Sequence, residues 1–146
     1  MTDQWLAEIT TTHQDHVIAH VIGSSVLGYF VHEEAAHLVL DMGFIWTIYL
    51  DGQMVLLPQS VATSELDAGA EFISEVNRDI ETLELEGRGA EPMRQIVPAP
   101  VECLITAVGF FANDERRRLI LNGEEASLMV ETSLRTAEIR ITADRL

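Results

Sequence analysis

The chain has no lysine. Its nine basic residues are all arginine, and none precedes Arg78. Against them stand 24 Asp and Glu, for a formal net charge of −15, and the first 77 residues hold 11 carboxylates with no basic side chain. A field of this sign repels phosphate backbones, so nucleic-acid binding is disfavoured despite the run Arg116, Arg117 and Arg118. The single cysteine, Cys103, excludes an internal disulfide, and its apolar setting VECLITAVGFF suits a buried thiol in a reducing compartment. The opening MTDQWLAEIT has neither a basic residue nor a long apolar core, so it does not resemble a secretory signal and a cytoplasmic protein is expected. The most hydrophobic stretch, Val17 to Val31, is too short to span a bilayer and is interrupted by His20, Gly23, Ser24 and Ser25, so no membrane partner is expected. Nucleophile elbows, phosphate loops and dinucleotide fingerprints are also missing, and no catalytic residue is assigned.

What is present is strand-forming sequence. At 146 residues a single domain over 1–146 is expected, burying about 70% of the surface of the unfolded chain without help from a disulfide or metal. Residues 16–58 read as a first β-meander rich in Val, Ile, Leu and aromatics. It opens on one long strand, Val17 to Val31, apolar on both alternating faces. The joint Asp51-Gly52 between two apolar runs predicts a type I′ hairpin, whose two central positions need positive φ. Residues 64–86 change period. Ser64 with Asp67 gives a capping-box start; Leu66, Ile73, Val76, Ile80 and Leu83 fall at helical spacing, while Glu71, Glu75, Asp79 and Glu81 face away. The helix is expected to stop near Gly87, in a loop punctuated by Gly89, Pro92, Pro98 and Pro100. A second meander follows over 97–143.

The two meanders resemble each other. A shift of 81 residues lays VLGYFVHEEAAHLVLD, Val26 to Asp41, on AVGFFANDERRRLILN, Ala107 to Asn122, without a gap and with five identities in 16 positions. They are Gly28 with Gly109, Phe30 with Phe111, Glu34 with Glu115, Leu38 with Leu119 and Leu40 with Leu121. The expected fold class is therefore α+β: two antiparallel four-stranded β-meanders, from an internal duplication, linked by one amphipathic helix in a single domain.

Candidate site residues fall in the acidic half. HEEAAH, His32 to His37, resembles a zinc-protease helix, but a spacing of five rotates the two rings about 140° apart on a helix. If Glu33 to Ala36 form a hairpin loop, His32 and His37 stand opposite each other with Cβ atoms about 5 Å apart, near enough to share a divalent metal with Glu33. His13, His16 and His20 form a second group. On a strand His16 and His20 share a face; a helix over Thr12 to Ser25 would align all three. No cofactor is expected, and a divalent metal is the one with any support. The surrounding carboxylates are expected to raise all five histidine pKa values. Trp46 and Tyr49 fall on opposite strand faces and are candidates for a ligand or partner surface, together with Arg116, Arg117 and Arg118. The functional expectation is a non-catalytic acidic interaction module that binds a protein partner or itself. A metal-binding protein or enzyme using the histidines and a carrier of a small apolar ligand are the alternatives.

Overall fold

Alternation gives the first meander two apolar faces, and a sheet apolar on both sides must be covered on both sides. The computed structural model, which describes residues 4–86, 93–99 and 103–145, meets this demand with helices on one face and a second sheet on the other. In chain order the elements are β1 (Leu6–Ala7), α1 (Thr12–Val21), β2 (Val26–His32), β3 (Ala35–Leu40), β4 (Phe44–Tyr49), β5 (Met54–Pro58), α2 (Gln59–Ser64), α3 (Ala70–Glu86), β6 (Val97–Pro98), β7 (Ala107–Asn113), β8 (Arg116–Asn122), β9 (Ala126–Ser133) and β10 (Glu138–Arg145). They build two antiparallel five-stranded sheets, ordered β5-β4-β3-β2-β6 and β1-β7-β8-β9-β10, in one α+β domain. Each four-stranded meander has gained a two-residue strand, and the gain is crosswise. β1, which precedes the first meander, pairs with β7; β6, which precedes the second, pairs with β2.

One face of the first sheet, with Phe30, Val39 and Ile45, packs on Val76, Ile80 and Leu83 of α3. The other, with Leu38, Trp46 and Ile48, packs on Phe110, Leu119, Leu128 and Val130 of the second sheet, and α1 adds Val17 and Val21. Each large side chain so buried contributes ~1.5–3 kcal/mol. Gly52 lies where the sheets meet: its φ is +88°, and a Cβ there would clash with the Phe110 ring. Asp51-Gly52 does close the β4–β5 hairpin. Only Gly52 takes positive φ, however, and Asp51 instead accepts from the Gln53 amide. The 81-residue shift carries the bounds of β2, Val26–His32, onto those of β7, Ala107–Asn113.

Three expectations change. Val17 to Val31 is not one strand, because helix α1 occupies its first part and the meander begins at Val26. Thr11 and Gln14 form a capping box at the helix start, and Val17 and Val21, one turn apart, reach the core. The helix expected over 64–86 is broken. Ser64 ends α2, its hydroxyl donating to the Val61 carbonyl, and α3 begins at Ala70. The stop at Gly87 and the loop positions Gly89, Pro92 and Pro100 lie outside the described residues. Among the described residues no helix is long and apolar enough to cross a membrane.

The third change concerns Asp79, which is buried rather than solvated. It lies three residues after Val76 and four before Leu83, on the stripe that meets the sheet. Its Oδ2 accepts from the backbone amides of Arg94, Gln95 and Ile96 at 3.0, 2.7 and 3.0 Å. One carboxylate thereby fixes the segment that enters β6. Asp79→Ala leaves three amides without their acceptor, and urea titration is expected to show a loss of about 3 kcal/mol in unfolding free energy.

Candidate functional site

The hairpin joining β2 and β3 turns on two residues, Glu33 and Glu34, with φ of 45° and 39°. Positive φ at both central positions is the signature of a type I′ turn. This shorter loop corrects the expected pairing: His32 stands opposite Ala35, and His37 opposite Phe30. The two histidines therefore lie diagonally on one face of the sheet, the face that α3 covers further along. His32 stacks on Phe72 of α3, with centroids 4.6 Å apart, and its Nε2 lies 3.1 Å from the Asp67 carbonyl oxygen. His37 is 7% exposed, stacks on Phe30 at 4.7 Å and shares a hydrogen bond of 2.8 Å with the Thr47 hydroxyl through Nδ1. Both line an open cleft of about 580 Å³ whose other walls include Glu33, Tyr49, Glu65 and Asp67.

Each imidazole thus has a structural partner. Burial, with a smaller contribution from the charge of His32, lowers the His37 pKa to about 4, against the expected rise. His16 and His20 sit exposed on α1, where His20 Nδ1 meets the His16 carbonyl; His13 Nε2 lies 2.9 Å from the Met54 carbonyl. The five histidines therefore fall on two different parts of the structure. Among the described residues no three His, Cys, Asp or Glu side chains are grouped to hold a metal ion. Trp46 and Tyr49 also separate, as alternation requires. Trp46 is fully enclosed between the sheets, its indole N–H without a partner among the described residues, whereas Tyr49 is 42% exposed at the cleft.

The arginine triplet is split by the same rule. Arg117 points to the inter-sheet side, where its Nε lies 3.9 Å from Glu8 and its Nη1 donates to the Asp114 and Arg116 carbonyls. Arg116 and Arg118 stand on the outer face and converge on Glu131 Oε1 at 3.1 and 2.8 Å. Burial pulls the Glu131 pKa up, but the hydrogen bond and charge of Arg118, joined by Arg116, outweigh it and hold the carboxyl below its usual value. Both guanidinium groups lie over the ring of Trp5, at 4.8 and 4.0 Å from its centroid. Such cation–π contacts contribute about 0.5–2 kcal/mol. Arg118 Nε is buried without an acceptor among the described residues. Beside this cluster runs a groove of about 270 Å³ lined in part by Glu131, Ser133, Glu138 and Arg140.

This outer face corresponds rung for rung to the face that α3 covers in the first sheet. Phe111 pairs with Arg118 as Phe30 pairs with His37, and Ile120 with Met129 as Val39 with Ile45. Phe30, Val39 and Ile45 are buried under α3. Phe111, Ile120 and Met129 are half-buried and belong to neither core cluster, and no described helix packs over them. Trp5 and Glu131 were not anticipated from sequence.

No family model, no curated protein and no solved structure matches this chain.

A histidine whose pKa is lower folded than unfolded binds fewer protons in the native state, so its neutral form stabilises the fold above pH 6.5 and that stability is lost as pH falls towards 4. For His37 the loss is about 3 kcal/mol in total. Urea midpoints measured from pH 4 to 7.5 are expected to show this component in the native chain and not in His37→Gln.

Proposed function

We propose that the protein is a non-catalytic interaction module and that its docking surface is the outer face of the second sheet. The observation that carries this reading is the contrast between two equivalent faces. One is sealed by α3, and the other presents Phe111, Ile120 and Met129 beneath no described helix. The occupant this face fits is an acidic amphipathic helix of a protein partner. Its apolar stripe would rest on those three side chains as Val76, Ile80 and Leu83 rest on Phe30, Val39 and Ile45.

Charge points to the same occupant. The end of the face nearest Trp5 carries Arg116, Arg118 and Arg140 against Glu131 and Glu138, in a chain whose net charge is −15. Asp144 lies at the far end of β10. Tryptophan and arginine are also the residue types that most often dominate binding energy at interfaces.

The sequence of α3, Ala70–Glu86, is itself an acidic amphipathic helix and serves as the probe. Titrating the full chain with this synthetic peptide is expected to change Trp5 fluorescence with saturation, and Trp5→Phe to remove the signal, since Trp46 is enclosed. Arg118→Glu should weaken binding at least tenfold, and added salt should weaken it further. No saturable change up to about 1 mM peptide would overturn the reading.

A further inference from the structure

The edges of the two sheets are treated differently. The free edge of the first sheet is β5, five residues that end in Pro58. It is guarded by α1: His13 Nε2 lies 2.9 Å from the Met54 carbonyl, and Gln14 Nε2 donates to the Gly52 carbonyl at 2.9 Å. The corresponding edge of the second sheet is β10, eight residues that pair with β9 along their whole length without a register shift. Among the described residues no strand lies on its other side. It has no proline or glycine, and Ile139 and Ile141 on its inner side are only half-buried against the core. A long, regular, uninterrupted edge is a template for another strand, and proteins ordinarily block such edges.

We propose that β10 pairs antiparallel with β10 of a second copy of this chain, joining two second sheets into one ten-stranded sheet. The charges select the register. With Thr142 opposite Thr142 of the second copy, Arg140 of each chain stands opposite Asp144 of the other, and Ile141 opposite Ala143. Neither Arg140 nor Asp144 has an ion pair in its own chain among the described residues. Slipping the register by two residues one way opposes Glu138 to Asp144. A slip of four in that direction opposes Arg140 to Arg140, and a slip of four in the other opposes Asp144 to Asp144. Directly opposed like charges are destabilising, and a slip of two the other way sets Ala143 opposite Ala143 and takes Asp144 away from Arg140, so the register centred on Thr142 is favoured. The twofold axis runs perpendicular to the sheet, because residues that oppose each other across the seam share a face. The contact is isologous and closes at two chains.

Sedimentation of the full chain at about 0.15 M salt, where the Debye length of ~8 Å screens the net charge, tests the contact. The native chain is expected to be dimeric. Arg140→Asp and Asp144→Arg should each give monomers with unchanged circular dichroism, and the double exchange should restore the dimer. A native chain that stays monomeric, an Arg140→Asp variant that stays dimeric, or a double exchange that restores nothing would overturn the proposal. Opposed Cα atoms in an antiparallel pair lie ~4.5–5.5 Å apart, within reach of a disulfide. Thr142→Cys is therefore expected to cross-link to itself under mild oxidation, while Arg135→Cys in the exposed β9–β10 turn is not. Equal cross-linking of the two would also count against the register.

Discussion

Everything in this fold depends on β3. All six of its residues, Ala35–Leu40, are buried, so it presents apolar side chains to both sides of the first sheet and reaches no solvent of its own. Such a strand is stable only as the middle layer of a three-layer arrangement. The second sheet supplies one cover through Phe110, Leu119, Leu128 and Val130, and α3 supplies the other through Val76, Ile80 and Leu83. Asp79 then ties α3 to the segment that enters β6, and β6 extends the sheet beside β2. The second sheet has no strand like β3. Its inner face is apolar, and its outer face mixes Phe111, Ile120 and Met129 with Arg116, Arg118 and Glu131. That difference between the two sheets is what leaves the outer face of the second without a described helix over it.

The parts of this plan with strong periodicity were legible in the sequence. Alternation located the two meanders, and the 3.6-residue pattern located the body of α3. The failures have identifiable causes. In α1 the β-branched Val17, Ile18, Val21 and Ile22 weighed towards a strand, while the Thr11–Gln14 capping box that starts the helix went unused. At Ser64 an apparent capping box lies at a helix end instead, because Pro58 and Gln59 had already begun a turn of helix. Nothing in residue preference marks Glu33-Glu34 as a type I′ turn, since glutamate is a poor choice where φ is positive, and so the histidines on either side were paired wrongly. β1 and β6 are two residues each, too short to leave any period.

The site was legible in outline only. Strand alternation alone separates Arg117 from Arg116 and Arg118, and Trp46 from Tyr49. Hydrophobicity alone points Trp46 inward, where it is found. The role of Trp5 could not be read, because it depends on a pairing with residues more than a hundred positions away. Asp79 was legible by helical geometry and was missed because acidic residues on a helix are usually solvated. His37 shows the same habit reversed: an acidic neighbourhood suggested a raised pKa, but enclosure between Phe30 and Thr47 lowers it.

The crosswise strands also set an order of assembly during synthesis. The β2–β5 meander is built from near neighbours and has its pairing partners as soon as it is made, apart from β6. Leu6 and Ala7 have none until Ala112 and Phe111 exist. At a translation rate of about 5–20 residues per second, that delay is on the order of ten seconds. Trp5 precedes that strand directly and reaches Arg116 and Arg118 only after β8 has emerged. The outer face of the second sheet is therefore the last part of the molecule to be completed, and a nascent chain does not display it.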